Sequence, residues 1–132
     1  MLLNSLVVAL GGAFGSLARY WLAELFMAAG LVAFPWATLA ANVSGSMLIG
    51  LIASLTGPGG RILIAPELRL FWLVGFCGGY TTFSSFSLQT LTMLQHGHLG
   101  KAAVNVVGSV ALCLVAVWAG YALAASVSAA KP

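Results

Sequence analysis

A run of glycines, hydroxyl-bearing residues and aromatics, residues 75–87, interrupts the third of four long apolar stretches in this chain. A lipid-facing helix would carry Leu and Val there, whereas glycine weakens helical structure. In a bilayer, a backbone N–H or C=O without a hydrogen-bond partner costs several kcal/mol, so irregular backbone at this depth must be buried in protein or line a water-filled path. The run therefore predicts a broken membrane helix beside an ion or solute pathway.

The composition around this run identifies a membrane protein. Of 132 residues, 61% are hydrophobic and 5% are charged, whereas about 25% are charged in soluble domains. A spanning helix needs about 20 apolar residues, and four stretches meet this requirement: 3–28, 35–57, 69–95 and 101–126. Because the joints between them are too short for a soluble domain, residues 1–132 are predicted to form a single, all-α, multi-pass domain of four transmembrane helices.

The basic residues are divided almost equally between the two sides of the membrane. With four spans, Arg61, Arg69 and Lys131 lie on one side, and Arg19 and Lys101 on the other. The Lys/Arg asymmetry sets the orientation of a membrane protein, so a difference of one charge predicts insertion both ways round. This dual topology would permit an antiparallel homodimer. A net charge of +3, scattered along the chain, does not suit a nucleic-acid surface.

Polar residues recur every four positions in two of the spans, which places each set on one side of its helix. Hydrogen bonds between helices would explain each stripe, at about 0.6 kcal/mol per bond. The lining of a solute path would explain both stripes together with the hydroxyl cluster of the third span. The sequence leaves both interpretations open. The residues are Thr38, Asn42 and Ser46 in the second span, and Asn105, Ser109 and Cys113 in the fourth.

Two aromatic residues and one cation also allow two interpretations each. Phe83 and Phe86 would share a helix face, where they either pack together or turn the positive edges of their rings toward an anion. Arg19 would either extend to the lipid headgroups or face a water-filled vestibule and attract anions to it.

Three motifs in this chain closely resemble those of the small bacterial fluoride channels of the Fluc or CrcB type. They are Gly11-Gly12-x-x-Gly15-x-x-x-Arg19-Tyr20, Trp36-x-Thr38-Leu39-x-x-Asn42-x-x-Gly45, and Gly75-Phe76-x-Gly78-Gly79-x-Thr81-Thr82-Phe83-Ser84-x-Phe86-Ser87. The last motif is specific, and the resemblance extends over essentially the whole chain.

The resemblance implies a fluoride-selective channel in the bacterial inner membrane. Fluoride would leave the cytoplasm by passive electrodiffusion, which lowers its concentration and its toxicity in the cell. The family also implies an antiparallel homodimer with two pores and one buried sodium ion, which is structural and not transported.

Site residues follow from the motifs by the same resemblance. The backbone carbonyls of Gly78 and Thr81 would hold the sodium ion, and Arg19 would be the vestibule arginine. The chain departs from many members at Asn105, where some carry Tyr, and at Gln89, where many carry Glu, so the pore end is expected to differ in detail. The fluoride-pore residues would be Phe83, Phe86, Asn42, Thr38, Ser109, Thr82, Ser84 and Asn105.

Two other functions compete with a channel. A small multidrug transporter also has four spans, but proton-coupled export of cations needs a carboxylate within the membrane, and Glu24 and Glu67 both lie near predicted helix ends. A non-conducting membrane subunit would use the glycines and polar stripes for packing alone. No nucleophile with a base and no set of metal-binding side chains indicates an enzyme.

Overall fold

The computed structural model describes the backbone of residues 1–129 and the side chains of residues 1–127, so Lys131 lies outside the described residues. The described chain is helical: α1 is Leu2–Ala28, α2 is Trp36–Thr56, α3 covers 66–80, α4 is Phe83–Gln95 and α5 is Leu99–Ala129. By length and hydropathy, α1, α2 and α5 could each cross a membrane. The prediction of an all-α membrane protein is confirmed.

The third predicted span consists of two helices, α3 and α4, separated by two extended residues. α3 begins as Pro66–Leu70, widens into a π-helix at Phe71–Phe76 and returns to an α-helical turn at Cys77–Tyr80. The helix starts three residues before the predicted 69 because Pro66 occupies its first turn, where the fixed φ of proline suits a helix. Nothing in the apolar sequence 71–76 predicted the π-helix.

The boundary between α4 and α5 also differs slightly from the prediction. Gly97 adopts a φ of 76°, a backbone conformation that favours glycine, and reverses the chain directly after α4. α5 can therefore begin at Leu99, two residues before the predicted start.

Glycines allow α1 to lie directly against the backbone of α3. A Cβ atom on Gly11 would stand 2.5 Å from the carbonyl oxygen of Phe71 and 2.9 Å from the amide nitrogen of Phe76. One on Gly15 would overlap the carbonyl oxygen of Phe76 and lie 2.8 Å from the nitrogen of Tyr80. Close approach through small residues is how membrane helices pack, since lipid provides no hydrophobic force between them.

α2 and α5 form a second close pair. A Cβ on Gly50 would overlap the carbonyl oxygen of Val117, and one on Gly120 would overlap that of Met47. α2 also contacts α1 and the Cys77–Tyr80 turn of α3, and these contacts join the α1–α3 pair to the α2–α5 pair.

The residues buried within one chain are mostly small, whereas many large apolar side chains face outward. Ala41 and Ala124 are buried, while Trp21 and Trp118 are largely exposed. Such an outer surface fits contact with lipid or with another protein chain.

Candidate functional site

The site is centred on the break between α3 and α4. Thr81 (φ −82°, ψ 158°) and Thr82 (φ −152°, ψ 116°) are both extended. Two glycines precede them, and glycine weakens a helix by about 1 kcal/mol per residue relative to alanine. Thr82 then caps α4, because its hydroxyl accepts a hydrogen bond from the Ser85 amide at 3.2 Å. The break thus lies within the run 75–87 in which the sequence predicts it.

Asn42 on α2 satisfies the backbone of Thr82 with both ends of its side-chain amide. The Thr82 N–H donates to Oδ1 at 2.7 Å, and Nδ2 donates to the Thr82 carbonyl at 3.1 Å. Because an amide NH₂ carries two donor hydrogens, this pair of bonds leaves one N–H of Asn42 for another acceptor. The sequence left open whether Asn42 bonds to another helix or lines a solute path; the structure shows that it bonds to the break and holds it in place.

Arg19 on α1 contacts Gly79, in the helical turn that directly precedes the break. Its Nε donates to the Gly79 carbonyl at 3.3 Å, and the Ser16 hydroxyl contacts the same oxygen at 3.5 Å. The guanidinium is therefore directed to the broken segment instead of to the headgroups.

The carbonyl oxygens of Gly78 and Thr81 lack the partners that a continuous helix would give them. In an α-helix they would accept from the N–H groups four residues later, those of Thr82 and Ser85. These two N–H groups donate to side chains instead, and no other bond to either carbonyl occurs among the described residues. The Thr81 hydroxyl is itself occupied, since it donates to the Cys77 carbonyl at 2.8 Å. Two neutral oxygens are thus left available, a donor type that hard cations prefer.

A groove of about 480 Å³ runs along this break between α2, α3, α4 and α5. Five of the eight predicted pore residues line it, whereas Thr38, Ser84 and Asn105 do not. Arg19, which was predicted for the vestibule, is not among the lining residues either. None of the lining residues carries a charge, and the polar side chains among them are amide, hydroxyl and thiol groups. The lining residues are Asn42, Gly45, Ser46, Ile49, Leu73, Cys77, Gly78, Thr81, Thr82, Phe83, Phe86, Ser109, Val110, Cys113 and Leu114.

The two phenylalanines lie together in the groove but differ in exposure. Their ring centroids are 5.3 Å apart with an angle of 46° between the planes. Phe86 is 8% exposed, whereas Phe83 is 77% exposed. Phe86 therefore belongs to the wall within one chain, and Phe83 faces a space that one chain does not fill.

Behind the groove, a chain of polar side chains joins α4 to α5. The Asn105 Nδ2 donates to the Thr90 hydroxyl at 2.8 Å, which donates to the Phe86 carbonyl at 2.8 Å. The Ser109 hydroxyl approaches Asn105 Oδ1 at 3.5 Å. Asn105 is 2% exposed, so it joins the helices, while Ser109 also reaches the groove.

Sequence reasoning missed Thr90 and Ser85. The spacing Thr82-x-x-Ser85 could have suggested a helix cap. For Thr90, the available signal was its position four residues after Phe86, which places both on one helix face.

Comparison with known proteins gives a family for the chain. The sequence model of the family described as "CrcB-like protein, Camphor Resistance (CrcB)" matches residues 6–121. Several curated proteins named "Fluoride-specific ion channel FluC" are also similar to it.

Three of these relatives illustrate the similarity. The protein from Paramagnetospirillum magneticum is 54% identical over 123 residues, 93% of this chain and 96% of its own length. That from Rhodospirillum rubrum is 58% identical over 116 residues, 88% of this chain and 90% of its own length. That from Opitutus terrae is 51% identical over 126 residues, 96% of each chain.

Proposed function

This chain belongs to the CrcB family, and from this membership and the geometry of the break we propose that it is a fluoride-selective channel. It lets fluoride leave the cytoplasm by passive electrodiffusion and so lowers the fluoride concentration in the cell. The chain acts in the bacterial inner membrane and not as an enzyme. The observation that carries this proposal is the uncharged groove at the α3–α4 break, where Asn42, Phe83, Phe86 and Ser109 come together.

The groove offers hydrogen-bond donors without a fixed positive charge. Fluoride is small and strongly hydrated, so a pore must replace its water with donors, and hydrogen bonds to an ion contribute about 1.5–3 kcal/mol each. Asn42 retains one N–H, and Ser109 contributes a hydroxyl. Conduction requires an anion to leave as readily as it enters, which favours neutral donors over a lysine or arginine.

The start of α4 adds a favourable field for an anion. The first N–H groups of a helix have no partners within it, and the N-terminal end carries a partial positive charge. α4 begins at Phe83, which lines the groove together with its cap Thr82. The ring edges of Phe83 and Phe86, which carry partial positive charge, would extend this environment along the path.

An antiparallel homodimer with two pores accounts for the open side of the groove. Phe83 is 77% exposed, and a Cβ atom added to Gly78 would meet nothing within 4 Å. A second chain packed against this surface would complete both paths, one on each side of the dimer axis. The division of Lys and Arg, three on one side and two on the other, supports the opposite insertion of the two copies.

A structural sodium ion fits the available carbonyls at the centre of such a dimer. Gly78 and Thr81 would hold it through backbone oxygen, and two chains would contribute twice that set. The ion would tie the two breaks together and would not be transported. The Gly79 carbonyl accepts a hydrogen bond from the Arg19 guanidinium, and the positive charge of that group disfavours a sodium ion at the same oxygen.

The multidrug transporter has no comparable support. Glu24 lies four residues before the end of α1, and Glu67 lies in the first turn of α3, so neither carboxylate is placed at the groove.

Fluoride efflux from liposomes tests the proposal. Purified protein is reconstituted in vesicles loaded with potassium fluoride, and efflux is followed with a fluoride electrode after a potassium ionophore is added. We expect rapid fluoride efflux, much slower chloride efflux from matched vesicles, and no requirement for a proton gradient. An absence of fluoride efflux from well-folded protein would contradict the proposal and favour a non-conducting subunit.

Isoleucine replacements test the phenylalanine rings. In Phe83→Ile, loss of the ring edge should sharply reduce fluoride flux, while the fold of the single chain should change in stability by no more than about 0.5 kcal/mol, because Phe83 is exposed within one chain. Phe86→Ile should also reduce the flux, with an added stability cost of up to about 1.5 kcal/mol because that ring is buried. Phe14→Ile is the control, since Phe14 is an exposed aromatic on α1 away from the groove. Near-normal flux in both groove variants would rule out the ring-edge role.

A further inference from the structure

The two carbonyls assigned to the sodium ion are those whose helical donors are diverted by side chains. The N–H of Thr82, which would close onto Gly78, donates to Asn42 Oδ1 at 2.7 Å. The N–H of Ser85, which would close onto Thr81, donates to the Thr82 hydroxyl at 3.2 Å. The side chains of Asn42, on α2, and Thr82, in the break, therefore keep the Gly78 and Thr81 carbonyl oxygens open, that is, free of helical hydrogen bonds.

Both diversions depend on groups that an apolar side chain of similar shape would lack. Without the Thr82 hydroxyl, the Ser85 N–H would lose its acceptor. The Thr81 carbonyl is the acceptor that a continuous α-helix would offer it instead. Without the Asn42 amide, the Thr82 N–H would lose its acceptor, while the Thr82 C=O, which as the cap of α4 also accepts within the helix, would lose only one of its donors. A backbone polar group left unsatisfied in an apolar environment is costly, so each loss favours closure of the helix onto a carbonyl.

We propose that Asn42 and Thr82 are positioning residues that set the sodium affinity of the channel by holding the Gly78 and Thr81 carbonyls open. This inference rests on the proposed function, because it concerns the cation of that channel. It gives Asn42 a second role besides that of a donor to fluoride, and it assigns to Thr82 the hydroxyl that controls a ligand without touching the ion.

Stabilisation by sodium provides a readout that is independent of flux. An ion that binds only the folded protein raises its unfolding temperature in a concentration-dependent manner. Purified protein is heated in detergent at constant ionic strength while sodium chloride replaces N-methylglucamine chloride. The sodium concentration at half-maximal stabilisation is then measured for the wild type and for each variant.

Four substitutions make this measurement specific. Thr82→Val keeps the shape and removes the hydroxyl, Thr82→Ala removes it without overfilling the site, and Thr82→Ser retains it. Asn42→Leu removes the amide. The control, Thr92→Val, changes an exposed threonine of α4 whose hydroxyl donates only to the Leu88 carbonyl four residues earlier.

We expect Thr82→Val, Thr82→Ala and Asn42→Leu to raise the half-maximal sodium concentration about tenfold or more, where tenfold corresponds to about 1.4 kcal/mol. Thr82→Ser and Thr92→Val should remain close to the wild type. Unchanged sodium dependence in the variants that lack the hydroxyl or amide would overturn the inference.

Fluoride efflux of the wild type separates this inference from the channel proposal. Efflux without any effect of sodium on the unfolding temperature would overturn the sodium inference and leave the channel intact. Failure of efflux despite sodium-dependent stabilisation would overturn the channel proposal and leave the cation site.

Discussion

The stability of the protein should change in opposite directions when Gly12 and Gly15, one turn apart on α1, are each replaced by alanine. A Cβ on Gly15 would overlap the Phe76 carbonyl oxygen and lie 2.8 Å from the Tyr80 nitrogen, whereas one on Gly12 would have only the Gly75 oxygen nearby, at 3.9 Å. Alanine in place of glycine favours a helix interior by about 1 kcal/mol. At Gly15, overpacking against backbone atoms that cannot rotate away costs about 1–3 kcal/mol.

Gly12→Ala is therefore expected to stabilise the protein by up to about 1 kcal/mol, and Gly15→Ala to destabilise it. Because the helix propensity gain is the same in both, the difference between the two variants measures the packing cost at Gly15 alone. The assay is the fraction of purified protein that remains monodisperse after heating, followed by size-exclusion chromatography. Gly108→Ala on α5, where an added Cβ meets nothing within 4 Å, is a second control. Equal stability of Gly12→Ala and Gly15→Ala would refute the close approach of α1 to α3.

Three further changes test other parts of the molecule. Thr90→Val should destabilise the protein by about 1–3 kcal/mol, because it leaves the buried Asn105 amide without its acceptor; stability equal to that of Thr92→Val would contradict this. Additional lysines in the 95–100 loop should trap one orientation, as read from accessibility of a terminal tag; a single orientation in the unchanged protein would argue against dual topology. Arg19→Gln should reduce fluoride flux more at low than at high ionic strength, because salt screens the lost charge, whereas a reduction independent of salt would refute an electrostatic role.

Much of the fold could be predicted because bilayer physics acts on simple sequence properties. Length and hydropathy located α1, α2 and α5 to within about three residues, and the glycines before Thr81 indicated the break. The π-helix could not be predicted in this way. Its six residues are apolar like their neighbours, and the wider turn lies where Gly11 admits the Phe71 oxygen and the Phe76 nitrogen against α1, a contact between segments that are distant in sequence.

Five of the residues predicted for the pore lie along one groove in the structure, but their hydrogen-bond partners could not be predicted from the sequence. Spacing placed Asn42 on a polar face, yet its two bonds to Thr82 depend on how α2 meets the break. For Arg19, the sequence offered headgroups or a vestibule, whereas the structure directs Nε to the Gly79 carbonyl. In the fourth-helix stripe, Asn105 forms a hydrogen bond between helices, as one of the two interpretations expects, and Ser109 also lines the groove. Roles toward fluoride and sodium stay predictions.

The π-helix lets α3 hold one residue more than a regular helix without rotating the residues that follow. A π turn contains one residue more than an α turn, whereas in the rest of the helix each residue advances by about 100°. Loss of one residue from 71–76 would therefore restore a regular α-helix and leave Gly78 and Gly79 on the faces that they now occupy. Loss of one residue elsewhere in α3 would rotate these faces by about 100° and place Arg19 and the groove opposite the wrong carbonyls. Alignments within the family should therefore show single-residue gaps at 71–76 more often than elsewhere between Pro66 and Gly78.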